Sequence, residues 1–410
     1  MTLLCFSLAI SLLTASLTEA SAASAPVPEK TPPKGSLVIA GGNLHFDNLP
    51  VWERIVQLAG GKGAKIAVFA SASVNPKRSG TALVNMLNKA GAQAFFVPVA
   101  VKLEESDYQR AAMDPELVAE VRSATGVYFS GGDQGRITQA LRTPEGKNTP
   151  MLDAVWDVYR KGGVIAGSSA GAAIMSETMF FNARPILSML KNGVRDGKDI
   201  APGLGFIGPD VFVDQHLLVR GRFARMMPAM MARNYKLGLG VDENTAMVVT
   251  GSQVEVIGYK GVLLVDLSQA STEPGLGRFN IKNAKLSYLD RGDKFDFATK
   301  EFTPSKEKLS GKLDPAKPYF RAQRFVPDIL SNTAVVELMQ DLIDNRHNEM
   351  VGLAFGNPNG DTPDVGFEFR FRKGADSMGY YTGAYGGEDY SVLNIYLDVR
   401  PVAMQLPLYK

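Results

Sequence analysis

Cysteine is almost missing from this chain: Cys5 is the only one in 410 residues. It lies in an apolar N-terminal run, so a chain cleaved after that run would contain no thiol. That excludes a disulfide framework, a thiol nucleophile and thiolate metal sites together. Histidine is nearly as scarce. His45, His216 and His347 are the only three, so chemistry that needs an imidazole base has few candidates. Charge of one sign is lacking too. The formal net charge is +2, and Lys and Arg are spread along the chain. This excludes the basic clustering of a nucleic-acid or membrane-surface protein. What remains is an ordinary soluble composition, 45% hydrophobic and 21% charged, on a chain long enough to bury a sizeable core in one large domain or two smaller ones. No internal repeat is present.

Residues 3–17 are uncharged and mostly apolar, and the small-residue sites Ala20-Ser21-Ala22 and Ala23-Ser24-Ala25 follow them. The run is short for a membrane span and suits the apolar region of an export signal, although no Lys or Arg precedes it. The expectation is a signal peptide over 1–22 and a secreted or periplasmic protein with no further membrane association. The plainer alternative is an uncleaved N-terminal helix. Residues 23–35 are rich in proline and polar groups and read as a linker.

From residue 36 short apolar runs alternate with helical stretches. Leu37–Ala40 ends at Gly41-Gly42, Ile66–Ala70 at Ser71, Val127–Phe129 at Ser130-Gly131-Gly132, and Val164–Ala166 at Gly167-Ser168-Ser169. Ala94–Val99 follows a helical stretch over 81–90. Strands without polar alternation, each closed by a small-residue turn, predict an α/β fold: a mostly parallel sheet with helices on both faces. Ligands of such folds sit beyond the carboxyl ends of the strands. Met247–Ile257 and Val262–Leu267 read as paired strands around Gly258–Gly261. Residues 268–325 are weakly patterned, a helix is expected over 333–344, and alternating strands follow. The expected organisation is thus an α/β catalytic domain over 36–267 and a C-terminal α+β extension over 268–410.

Gly167-Ser168-Ser169-Ala170-Gly171 matches the G-x-S-x-G elbow, after an expected strand and before a helix-like stretch. A tight strand-to-helix turn tolerates only small neighbours and projects its central side chain outward. The Ala170 N–H would then lie at a helix start, where it can stabilise an oxyanion. The structural alternative is a small-residue helix start capped by Ser168 or Ser169. A serine nucleophile needs a base, and His216, after Val211–Gln215, stands at another expected strand end. For the acid that orients it, Asp242, Glu243 and Asp214 are all candidates; in an extended segment Asp242 and Glu243 point to opposite faces. Gly131-Gly132 could bring a second N–H to an oxyanion, while Asp133 could simply cap a helix. Arg220, Arg222 and Arg225 follow His216 closely and suggest carboxylate recognition, though a solvated basic helix face is the commoner fate of such a run. Met226, Met227, Met230 and Met231 read as core packing. No metal cluster or phosphate-binding loop appears, so no cofactor is expected.

Four blocks in order, Ser130-Gly-Gly-Asp-Gln134, Gly167-Ser-Ser-Ala-Gly-Ala172, Asp214-Gln-His216 with its arginines, and Asp242-Glu-Asn-Thr245, resemble the cyanophycinases and the related aspartyl dipeptidases of the dipeptidase E type. The spacing from His216 to Arg225 favours the former. The resemblance covers roughly residues 35–267. It implies a class I glutamine amidotransferase-like fold, Ser169 as nucleophile, His216 as base, Glu243 as the orienting acid, and Gly132 and Ala170 as oxyanion donors. It assigns Gln134, Asp214, Gln215, Arg220, Arg222 and Arg225 to the substrate pocket. It further implies cyanophycin, a poly-aspartate carrying arginine on each side-chain carboxyl, as substrate, β-Asp-Arg as product, and a homodimer as a common assembly. Cleavage of α-aspartyl dipeptides, or polymer binding without catalysis, are the rival expectations.

Overall fold

The apolar runs over 36–40, 66–69, 126–129 and 164–168 are buried on both sides, which is why they lack polar alternation. The computed structural model describes residues 33–405 except Asp361 and Glu388, together with Pro407. The expected signal segment, Cys5 and most of the linker lie outside the described residues. From Pro33 onward the chain is one compact unit.

Five parallel strands, β1 (Ser36–Ala40), β2 (Lys65–Phe69), β3 (Gln93–Val97), β4 (Gly126–Phe129) and β5 (Val164–Ser168), stand side by side in the order β1-β5-β4-β2-β3. Their alternate residues serve two different cores. Val38, Ile66 and Val68 pack with Trp52, Ile55 and Leu87 from α1 (Leu49–Leu58) and α2 (Pro76–Lys89). Leu37, Ile39, Ala67 and Phe69 belong to the opposite core. That core takes in Ala112, Val121, Ile137 and Val155 from α3 (Tyr108–Met113), α4 (Pro115–Arg122), α5 (Gln134–Leu141) and α6 (Pro150–Arg160). Helices therefore cover both faces of an α/β sheet.

Beyond β1 the same sheet continues antiparallel, through Thr245–Thr250, Gln253–Gly258, Lys294–Asp296 and Phe302–Thr303. The single strand expected over 247–257 is therefore a hairpin, because Gly251 at φ +58° turns the chain between Thr250 and its partner Gln253. Val262–Asp266 does not pair with this hairpin. It joins a second sheet, between Leu237–Val241 and Ile281–Leu289. That eight-stranded sheet begins with Val211–Gln215 and ends in the long strands Asp389–Ala403 and Val365–Thr382, with Glu349–Ala354 and Phe325–Val326 at its edge. Apart from the parallel pair formed by 211–215 and 237–241 and a short one at the far edge, it is antiparallel. The C-terminal extension consequently prolongs a sheet that residues before 267 begin, because Ile281–Leu289 completes the hydrogen bonds of Val262–Asp266. A helix over Ala334–Ile343 packs its Leu338, Met339 and Leu342 into the same core. Among the described residues no helix is long and apolar enough to cross a membrane.

Candidate active site

The carboxyl ends of β5 in the first sheet and of the parallel pair Val211–Gln215 and Leu237–Val241 in the second meet at Ser169. This residue separates β5 from the short helix Ala170–Ala173 and has φ +54° and ψ −106°. Such a backbone costs roughly 1–3 kcal/mol and persists only where its surroundings impose it. Here the Ser169 N–H donates to the Ala40 carbonyl at 3.0 Å. The flanking glycines let strand, turn and helix touch backbone to backbone. A Cβ on Gly167 would lie 2.4 Å from the Gly171 carbonyl oxygen, and one on Gly171 would lie 2.4 Å from that of Phe129.

His216 follows Val211–Gln215 with φ +50°, and its N–H donates to the Gly41 carbonyl at 2.8 Å. Glu243 stands where the chain leaves the second sheet, after Leu237–Val241, for the first, at Thr245–Thr250. The three side chains form one line. The Ser169 hydroxyl donates to His216 Nε2 at 2.7 Å, and His216 Nδ1–H donates to Glu243 Oε1 at 2.5 Å. Asp242, the other acid of that pair, is fully buried and faces away. It accepts from the backbone N–H groups of Leu218 and Val219 at 3.1 and 3.2 Å and from Lys260 Nζ at 2.7 Å. The strand ends at Val241 and the chain turns at Glu243 and Asn244, the latter with φ +53°, which parts the two acids: Glu243 meets the imidazole, while Asp242 braces the turn that follows it.

Burial holds the His216 imidazole below its ordinary pKa. The nearby guanidinium groups of Arg220 and Arg222 push the same way, and together these outweigh the hydrogen bond and charge of Glu243. The ring is thereby kept neutral, as a base must be. Burial opposes ionisation of Glu243, yet hydrogen bonds from His216 and Asn43, with the charge of Arg220, hold its carboxyl below the usual range.

Beside Ser169, Gly131 comes so close that a Cβ there would lie 3.3 Å from the serine Cβ. Gly132 has φ +140°, and a Cβ on it would meet the Ala72 carbonyl oxygen at 2.1 Å. Neither the Gly132 nor the Ala170 N–H has an acceptor among the described residues. Both are therefore available to a developing oxyanion. Asp133 also caps α5, its carboxylate accepting from the Gly135 N–H at 2.8 Å.

Of the six expected pocket residues, five brace one another or the backbone and one, Arg220, is free of side-chain partners among the described residues. Asp214 and Arg225 are buried against each other in a two-pronged pair, with N–O distances of 2.8 and 2.7 Å. Asp214 thus offers no unpaired carboxylate to a substrate guanidinium. The Arg225 guanidinium also lies 3.9 Å from the ring centre of Phe180, and the Gln134 amide donates to the Phe180 carbonyl at 2.7 Å. Arg222 donates to the Gln215 carbonyl at 2.9 Å and to Gln215 Oε1 at 3.0 Å, and burial lowers its pKa to about 10. Arg220 is exposed and has no side-chain partner among the described residues. The basic run is not one helix face, since the helix begins only at Phe223. In it Met226, Met227 and Met230 are buried and Met231 is exposed.

Two contributors carry no motif of their own in the sequence. The Gly42 Cα faces the imidazole, where a Cβ would come 2.2 Å from His216 Cε1. Asn43 Nδ2 donates to Glu243 Oε2 at 3.1 Å. The glycine pair closing β1 was the available signal. Among the described residues no group of three or more His, Cys, Asp or Glu side chains could hold a metal ion.

A strained elbow serine, an imidazole and a carboxylate in line at the carboxyl ends of the strands of an α/β fold define a serine-type peptidase. The sequence model of peptidase family S51 matches residues 37–257, and the chain belongs to that family. It is similar to the cyanophycinase of Geminocystis herdmanii, 31% identical over 274 residues that cover 64% of this chain and 93% of the relative. It is likewise similar to the cyanophycinase of Thermosynechococcus vestitus, at 32% identity over 64% of this chain and 79% of that one. A peptidase structure from an acI-B1 actinobacterium aligns with 65% of this chain and 98% of its own at 22% identity and a TM-score of 0.46.

Proposed function

We propose that this peptidase hydrolyses cyanophycin to β-Asp-Arg through an acyl-enzyme on Ser169. The observation that carries the mechanism is the continuous hydrogen-bonded line from Ser169 through His216 to Glu243. With Nδ1–H bonded to Glu243, Nε2 is the lone-pair nitrogen. It takes the Ser169 proton as Oγ attacks the peptide carbonyl. The Gly132 and Ala170 N–H groups face the oxyanion. As the tetrahedral centre collapses, the C–N bond breaks and Nε2–H gives its proton to the leaving amine. Water then attacks the ester, losing a proton to Nε2. That proton returns to Oγ as the acid leaves.

The likeness to named cyanophycinases and the unpaired guanidinium of Arg220 near the imidazole support the polymer as substrate. Each β-Asp-Arg unit carries a free carboxylate that an unpaired guanidinium can bind. Export, on the apolar segment 3–17, belongs to the same proposal. Incubating insoluble cyanophycin with wild type and following soluble products by mass tests the substrate. Release of β-Asp-Arg supports it. Cleavage of Asp-X dipeptides with the polymer untouched moves the substrate to α-aspartyl dipeptides.

A further inference from the structure

We infer that Asn43 is a positioning residue: it holds Glu243 on the imidazole and away from Arg220. This rests on the reading of His216 as the base of Ser169. Glu243 has two oxygens and three cationic or donor neighbours, His216, Asn43 and Arg220. Oε1 takes His216 Nδ1–H at 2.5 Å, and Oε2 takes the Asn43 amide at 3.1 Å. Arg220 is near enough to favour the charged carboxylate, but the two form no ion pair. A half-buried carboxylate with an unpaired guanidinium in its neighbourhood would gain a charge-assisted bond by rotating toward it. Such a rotation would take the orienting acid from the base and the guanidinium from any substrate carboxylate.

The Asn43 amide supplies the donor that Oε2 would otherwise seek. The residue type also suits its backbone. Asn43 has φ +41°, a region that Asn tolerates better than most side chains. Its segment is fixed on both sides. The preceding Gly42 carbonyl accepts from the Asn244 N–H at 2.9 Å, and Asn244 Oδ1 accepts from the His45 N–H at 3.1 Å. The amide is therefore presented from a rigid corner, which makes it a fixed stop for the carboxylate.

The test uses the full chain with a fluorophosphonate, which phosphonylates an activated serine without needing the polymer. Labelling rate is followed against pH for wild type, Asn43→Gly and Asn43→Asp. Glycine keeps the backbone conformation and removes the donor; aspartate keeps the shape and reverses the interaction. The expected result for Asn43→Gly is a labelling rate about 2- to 10-fold lower, the worth of one hydrogen bond, with an unchanged melting temperature. For Asn43→Asp, the added negative charge near the imidazole favours the imidazolium, so the acid limb moves up by roughly half to one pH unit. Wild-type rate and profile in both variants, or a lowered melting temperature with an unmoved profile, overturns the positioning role alone. Failure of wild type to label at any pH overturns the base assignment, and this inference with it.

Discussion

Replacing Gly42 with alanine tests the geometry of the base at its tightest point. The new Cβ would stand 2.2 Å from His216 Cε1 and 2.3 Å from Nε2. Carbon contacts are comfortable near 3.5 Å, so ring and Cβ must separate by roughly 1 Å or more. The backbone has little freedom to supply that movement. The Gly41 carbonyl accepts from the His216 N–H, and the Gly42 carbonyl accepts from the Asn244 N–H. The imidazole must therefore tilt away, and its 2.7 Å contact with Ser169 opens. A displacement of about 1 Å at a reacting group costs on the order of 100-fold in rate. Gly42 also has φ +119°, so alanine adds backbone strain of about 1–2 kcal/mol. Gly60 separates the two effects: its φ is +113°, but a Cβ there meets nothing within 4 Å. Gly60→Ala should lose comparable stability and keep full activity, while Gly42→Ala should lose both. The assay pairs serine labelling with melting temperature in both variants. If Gly42→Ala labels within threefold of wild type, the imidazole does not stand against Gly42 in the working enzyme and the reasoning fails.

Further outcomes follow from the charges around the site. Because burial, Arg220 and Arg222 lower the His216 pKa, the acid limb of kcat/KM should lie below about 6.5. Arg220→Gln should move it upward by removing a positive charge, and a pH–rate profile with an unmoved or lowered limb contradicts this. Arg225→Leu strands the buried Asp214 carboxylate and should destabilise the fold by about 3–5 kcal/mol, measured by denaturant unfolding. Adding Asp214→Leu should recover much of that loss; if it does not, the pair is not the cause. Burial raises Asp293 to about 6 despite Lys308 nearby. The folded state therefore holds more protons than the unfolded one between about pH 4 and 6, and this group's contribution to stability falls as pH rises through that window. Asp293→Asn should flatten the decline, and an unchanged slope removes Asp293 as its source.

The parts of the site that follow local rules were legible in the sequence. β1, β2, β4 and β5 announce themselves as apolar runs ending in Gly or Ser, since strands covered on both faces leave no room for polar alternation. Ser169 was visible because the elbow demands small neighbours on both sides. What periodicity cannot carry is a long-range choice. Both Asp242 and Glu243 fit the orienting acid, and the decision depends on which face of the 241–245 segment meets His216, 27 residues away. The pairing of Asp214 with Arg225 was equally hidden, because a separation of 11 residues carries no sign that their turn folds the two together. Likewise, Val262–Asp266 looked like the partner of the preceding strand. The chain instead changes sheets at Gly258, whose φ of +105° redirects it, and a pairing with Ile281–Leu289 lies beyond any hairpin signal.

The most direct test of the mechanism is the covalent intermediate itself. Wild-type protein mixed with cyanophycin should be acid-quenched during turnover, digested, and mapped by mass. Attack by Ser169 predicts an acyl adduct built of one or more β-Asp-Arg units on the peptide containing that serine, accumulating in Glu243→Gln if deacylation slows, and absent from Ser169→Ala. Product release by Ser169→Ala at more than about one-thousandth of the wild-type rate, or an adduct on another residue, contradicts it.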